Sequence, residues 1–345
     1  MRNYSSLFLF TVLISCKAKV NPDRIPITIS NNAIASVDVD GRDYIYSFGG
    51  IGNSKDHSDI TLRSFKYSVD ENVWEEISPL PDTMPKIASA ASVINGIIYI
   101  VGGYHVFPDG HEKSSSKVHR YDPVEDRFLE DAPNLPTPID DHVQAVWQDS
   151  LLYVITGWSD SLNVSTVQVF DADGHWHYAT PVPEEPAYRV FGSSGVIVEN
   201  DIYFSGGAGN RSEGNFPVQH SLKIGHIDPE NPLSIQWESI ADSLAGIYRP
   251  GAIVINGNPY WIGGSSRSYN YNGIAYTGHE VDPLSSAIFF DRKDGSLKIS
   301  NMTVPLVMDL RGIAQLSSEE VAVVGGMLPG QVVSDRVFII TISAE

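Results

Sequence analysis

The sequence predicts an all-β fold, a ring of six four-stranded sheets closed on itself, and three observations carry that expectation. The first is a repeat. A short apolar run ending in two small residues recurs at 44–50, 98–103, 152–157, 202–207, 260–264 and 321–326, with steps of 53, 54, 50, 57 and 62 residues between the first small residues. Self-similarity at a period of this size marks a stacked-repeat architecture. The second is the turn chemistry: a small-residue apolar run, 88–94, meets Asn95-Gly96 before the glycine-ended run begins. Asn-Gly between two such runs is the strongest short hairpin signal, because both residues tolerate positive φ. The third is composition. Across 345 residues, 16 Tyr and 13 Phe lean towards strands, while 29 Gly and 21 Pro supply turns.

The net charge of −19 and the absence of any basic stripe exclude a nucleic-acid partner. The single cysteine, Cys16, excludes an internal disulfide framework and a multi-cysteine zinc site.

Taken from the start of the chain, the first element is a targeting segment. Arg2 precedes the apolar run 7–14, which is too short to span a bilayer as a helix. Leu13-Ile14-Ser15-Cys16 then resembles the bacterial lipobox. The resemblance implies a signal peptide over 1–15 and a lipid on Cys16. It also implies a location in the bacterial cell envelope, outside the cytoplasm, with the membrane as a partner through that lipid. Residues 16–24 read as a tether, and 25–345 as the propeller.

The repeats share an inner grammar. Turns equivalent to Asn95-Gly96 stand at Asp149-Ser150, Asn200-Asp201 and Asn256-Gly257. A third strand carries an aromatic followed by aspartate, as in Tyr121-Asp122, Phe170-Asp171 and Phe290-Asp291, and a fourth begins near Trp74, Phe128, Trp176 or Trp237. The double glycine, the aromatic-Asp pair and the later tryptophan together resemble the kelch family over nearly all of 25–345, with Thr156 departing from the glycine rule. This resemblance implies a six-bladed kelch β-propeller, one repeat to a blade. The last repeat ends after a third strand at 336–342, so 25–30 is expected to supply its missing fourth strand and close the ring.

In kelch propellers the loops joining strands two and three, and those joining successive blades, share one face. Here those loops are the long ones, and function gathers on such loops. The segments leading into each first strand carry Lys86, Asp140-Asp141-His142, Tyr188-Arg189, Tyr248-Arg249 and Asp309-Leu310-Arg311. They are expected to converge on the channel mouth, where arginine forks suit a carboxylate ligand or brace neighbouring blades. The long loops add Tyr104 and His105, Trp158, and Tyr269, Tyr271 and Tyr276. Flat aromatic faces with nearby amides suit a sugar, and equally suit packing of the loops. The spacing of His105, His111 and His142 with Asp140 or Asp141 matches no standard metal motif, so neither metal nor cofactor is expected.

Recognition of a ligand at the channel mouth, a glycan or another small molecule, is therefore the leading expectation. A resemblance to kelch-type sialic-acid mutarotases implies an enzymatic alternative on an acidic sugar. There His142 with Asp141 or Asp309 would move protons, and Arg189, Arg249 and Arg311 would hold the carboxylate. The long middle insertion of that family is absent here. A protein-binding module is a further alternative. A copper radical oxidase is excluded, because its site needs a cysteine and the only one stands in the signal.

Overall fold

The computed structural model describes residues 15–317 and 319–343; the apolar signal core at 7–14 lies outside them. Six antiparallel sheets, each a path of four strands, follow one another along the chain as blades. Blade one comprises Ala33–Val39, Arg42–Ile51, Ile60–Ser68 and Val73–Ile77. Blade two comprises Ile87–Ile94, Ile97–Val106, Val118–Asp122 and Arg127–Phe128, with Glu112–Ser114 paired to the far end of its second strand. Blade three follows with Val143–Trp147, Leu151–Ile155, Val167–Phe170 and Trp176–Tyr178. Blade four is Ser194–Val198, Asp201–Ser205, Ser221–Asp228 and Asn231–Ala241. Blade five is Gly251–Ile255, Asn258–Ile262, Ile288–Asp291 and Ser296–Ile299.

Blade six closes the ring, but with a different segment from the one expected. Its strands are Ala314–Gln315, Glu320–Val324, Arg336–Ser343 and, outermost, Ser15–Arg24. The register pairs Cys16 with Ile342 and Arg24 with Arg336. The stretch read as a tether therefore carries the closing strand. Residues 25–30, read as that strand, instead wedge between blades six and one. Ile25 and Ile29 are buried there, and their N–H groups donate to Asp335 O and Ser334 O. Pro26 cannot donate to a ladder, which favours this irregular path.

The repeated small-residue pair explains how the blades are joined. Gly102 sits at φ +64, and a Cβ there would lie 2.3 Å from Ile139 O in the segment leading into blade three. At Gly206 the corresponding approach is 2.0 Å, to Ile247 O. The second glycine then donates to the same carbonyl: Gly103 N to Ile139 O at 3.0 Å, and Gly207 N to Ile247 O at 2.8 Å. Gly264 N to Val307 O and Gly326 N to Ile29 O repeat the bond, so these four pairs stitch their blades to the lead-in of the next. Thr156 keeps the stitch by another route, its hydroxyl donating to Val190 O at 3.2 Å. Between the stitches, blade faces bury aromatic and branched side chains against each other. Tyr153, Ile155 and Val167 of blade three, for example, pack with Tyr188, Val190 and Phe204 around blade four.

Candidate functional site

One residue at or just before the start of each first strand takes a left-handed backbone: Asn31 (φ 57), Ala88 (59), Asp141 (47), Gly192 (66), Arg249 (48) and Asp309 (63). Five of the six are not glycine, and each such residue costs about 1–2 kcal/mol. The conformation turns the six segments into a hydrogen-bonded collar. Asn31 N donates to Asp309 O, Asp141 N to Ala88 O, Gly192 N to Asp141 O, Arg249 N to Gly192 O, and Leu310 N to Arg249 O. The side chain of Asn31 completes the circle by accepting from Ala88 N at 2.7 Å.

Arg249 fills the middle of this collar. Its Nε and Nη2 donate to the two oxygens of Asp141, at 3.2 and 2.5 Å, and its Nη1 donates to Asp309 at 2.9 Å. Asp309 also accepts from Ser30 Oγ and Asn31 Nδ2. All three charged groups are buried. Burial works against the guanidinium's charge, but Asp141 and Asp309 outweigh it and hold Arg249 firmly ionised. The hub separates two spaces. On the inner-strand side lies the central channel, about 550 Å³, reached by His142 and Arg311. On the long-loop side lies a chamber of about 170 Å³.

The chamber wall is formed by Tyr104, Trp158, Phe191, Phe216 and Tyr276, and its polar groups are Glu112, Asp140, Asp141, Arg249 and Asn270. The rings brace one another, with Trp158, Phe191 and Phe216 at centroid separations of 5.3–5.5 Å and Phe216 to Tyr276 at 4.6 Å. Asp140 is buried and accepts from Ser114 Oγ at 2.6 Å. Burial, reinforced by the neighbouring Asp141, pushes the Asp140 carboxyl well above the usual carboxylate range. Burial also raises Glu112, with Asp141 adding to the effect and Arg249 opposing it.

Of the residues singled out from sequence, the structure brings Tyr104, Asp140, Asp141, Trp158, Arg249 and Tyr276 into this chamber. The others lie elsewhere. Lys86 is enclosed with Asp82 Oδ2 at 3.3 Å and His119 Nε2 at 3.1 Å. Burial brings its pKa down to about 8. His105 contacts Pro85 O through Nδ1, and Tyr188 is core between blades three and four. Arg189 pairs with Glu184 at 2.8 Å. Tyr248 and Tyr269 pack edge to face behind the chamber, with their rings 5.2 and 5.5 Å from the Arg249 guanidinium. Tyr271 packs on the patch formed by Ile51 and Tyr104.

The three arginines therefore do not form a clamp. Arg249 is held by two carboxylates, Arg189 pairs outside, and Arg311 lies on the channel side. There Arg311 donates to His142 O and stands 3.4 Å from Asp141. Nor do the proposed proton carriers share one open space. Asp309 is enclosed by its partners. His142 faces the channel, its Nε2 against Gln144 Oε1 at 3.0 Å, and burial and Arg311 lower its pKa to about 3.

Sequence reasoning missed Glu112, Phe191 and Phe216 as chamber residues. Glu112 stands one residue beyond the His111 end of a loop that was singled out, and Phe191 two residues beyond Arg189. Phe216 belongs to a loop, 209–220, whose Gly-Asn-Arg-Ser-Glu-Gly start reads as plain turn. Proximity to lead-in segments could have flagged the first two. Nothing in the third marks it.

Comparison with known proteins bears on the fold. Residues 88–133 match the family model described as Kelch motif. Kelch-like protein 15 of Homo sapiens is 26% identical over 160 residues, covering 46% of this chain and 24% of its own length. Kelch repeat and BTB domain-containing protein 12 of Homo sapiens is 26% identical over 211 residues, covering 57% and 32%. The matches thus span about a quarter to a third of these relatives. The solved structure of YjhT superposes with a TM-score of 0.69 at 16% identity, over 94% of this chain and 100% of that one. At that identity the likeness is one of fold.

Proposed function

This chain is a kelch-repeat β-propeller, and from that premise we propose that it binds a carbohydrate in the chamber at the mouth of its ring. A lipid on Cys16 holds it to the cell envelope outside the cytoplasm. The observation that carries the binding reading is the chamber itself: five aromatic rings around a pocket of about 170 Å³, with carboxylates and the Asn270 amide among them. Aromatic faces take the C–H surface of a sugar ring, and the carboxylates and amide take its hydroxyls. The lipobox-like Leu13-Ile14-Ser15-Cys16 supports the anchor.

Calorimetric titration of the full chain in detergent with a panel of monosaccharides tests the binding reading. Trp158→Ala is expected to weaken binding by about tenfold or more, the scale of one lost ring contact with its buried area. Sugar affinity unchanged in Trp158→Ala would move the ligand out of the chamber. Binding of proteins but of no sugar would favour the interaction-module reading.

A second reading, anomer exchange, is favoured by Glu112. A carboxyl raised by burial in the same chamber as an ionised one can present a proton to a ring oxygen while another group takes the anomeric proton. This places the acid–base work on Glu112 rather than on His142 or Asp309. Exchange spectroscopy on a bound sugar, comparing the wild type with Glu112→Gln, distinguishes it from plain binding.

A further inference from the structure

The chamber holds more acid than its cation can balance. Glu112, Asp140 and Asp141 line it together with Arg249. The guanidinium is committed, with two of its nitrogens on Asp141 and the third on Asp309. Behind the floor, Asp309 and Arg311 add one charge of each sign. Asp140 and Glu112 are thus in excess. Asp140 has a single side-chain donor, Ser114. Among the described residues the Glu112 side chain has no hydrogen bond and no ion pair, its remaining influences being the charges of Arg249, Asp141 and the exposed His111. A carboxylate mostly removed from water and left without a partner is costly, so it protonates or draws a cation to itself.

The walls favour the cation. Aromatic faces carry negative potential, and a cation over them is attracted by about 0.5–2 kcal/mol per ring, more as water is excluded. Trp158, Phe216 and Tyr276 stand on the chamber wall together with both excess carboxylates. We infer that the ligand of this chamber carries a positive charge, and that it is an amine-bearing sugar whose ammonium sits among Glu112, Asp140 and these rings. The inference rests on the chamber being the ligand site. It opposes the acidic sugar that the resemblance to mutarotases implies, because a ligand carboxylate would find the chamber's one guanidinium already committed to Asp141 and Asp309. The direction of the shifts fits it: burial raises both carboxyls, and an arriving ammonium would favour their ionised form.

The test is calorimetric titration of the full chain in detergent with glucosamine, glucose and glucuronate, repeated in two buffers of different ionisation enthalpy. Glucosamine is expected to bind about tenfold or more tighter than glucose, glucuronate to bind weakest, and glucosamine binding to release protons. Glu112→Gln is expected to shrink the glucosamine-to-glucose ratio, and Asp140→Asn is a second variant with the same expected direction. Glucose or glucuronate binding as tightly as glucosamine, with all three weakened by Trp158→Ala, would overturn the charge inference and leave the chamber reading standing. No binding of any of the three, or binding indifferent to Trp158→Ala, would overturn both.

Discussion

At the scale of single residues, the same side chain can be a ligand group or a brace, and only its partners decide. The basic and acidic residues on the lead-in segments were legible from the repeat, and so was their convergence. What they are attached to was not. Arg249 meets Asp141 and Asp309 across 108 and 60 residues of chain, and nothing local to either partner announces the pairing. The consequence is a stability effect larger than any binding effect. Arg249→Met leaves two carboxylates buried without their cation, and is expected to cost about 3–5 kcal/mol in urea unfolding. Arg189→Ala, whose partner Glu184 is largely exposed, should cost under about 1 kcal/mol.

His142 yields a pH dependence whose sign follows from its burial. Its pKa is about 3 in the fold against about 6.5 unfolded. The unfolded chain therefore binds the extra proton first, and this group's contribution to stability is lost as pH falls from about 6.5 towards about 3. His142→Gln should flatten that part of a stability–pH curve measured by thermal unfolding. An unchanged slope would mean the imidazole is not held neutral.

At the scale of elements, glycines that look alike in sequence do different work. Gly206 and Gly257 both take positive φ, at +63 and +74, but a Cβ on Gly206 would lie 2.0 Å from Ile247 O while one on Gly257 meets open space. Gly257→Ala is expected to cost about 1 kcal/mol for backbone conformation alone. Gly206→Ala must also break the stitch to blade five, and should cost several times as much, read as a larger fall in Tm. The double glycines were legible as punctuation, and their role as inter-blade joints emerges only with the carbonyl in place.

The closing strand shows the opposite failure. The alternation Ile25-Pro26-Ile27-Thr28-Ile29 reads as a strand, and the polar 17–24 reads as a tether. The outermost strand of a blade is an edge, however, and edges tolerate charge and proline where interiors do not. The apolar alternation was instead the signature of a wedge between two blades.

At the scale of the whole molecule, that strand sets a direction. It runs from Ser15, paired with Ser343, to Arg24, paired with Arg336 at the long-loop end of blade six. Cys16 therefore stands at the end of the ring that bears the tight turns, roughly 26 Å along the strand from Arg24 at about 3.3 Å per residue. A lipid on Cys16 would act with almost no slack, bringing the tight-turn face to the bilayer and pointing the chamber away from it. The tight-turn face carries exposed Asp40, Glu71, Glu125, Asp173, Glu199 and Glu230, so it is repelled by anionic headgroups, and its exposed apolar side chains, Val73 and Val124, are scattered among acids. On that reading an acyl chain would carry the attachment. With the lipidated chain in vesicles containing a headgroup quencher, a fluorophore at Gly257 should be quenched and one at Asn272, on a long loop, should not. Raising the anionic lipid fraction should weaken the quenching at Gly257, and added salt should restore it, because the repulsion is screened within about 10 Å at 0.1 M salt. Equal quenching at the two sites would mean that a flexible tether does precede the ring. Stronger quenching at Asn272 would turn the chamber towards the membrane and make a lipid headgroup, rather than a free sugar, the molecule to test in it.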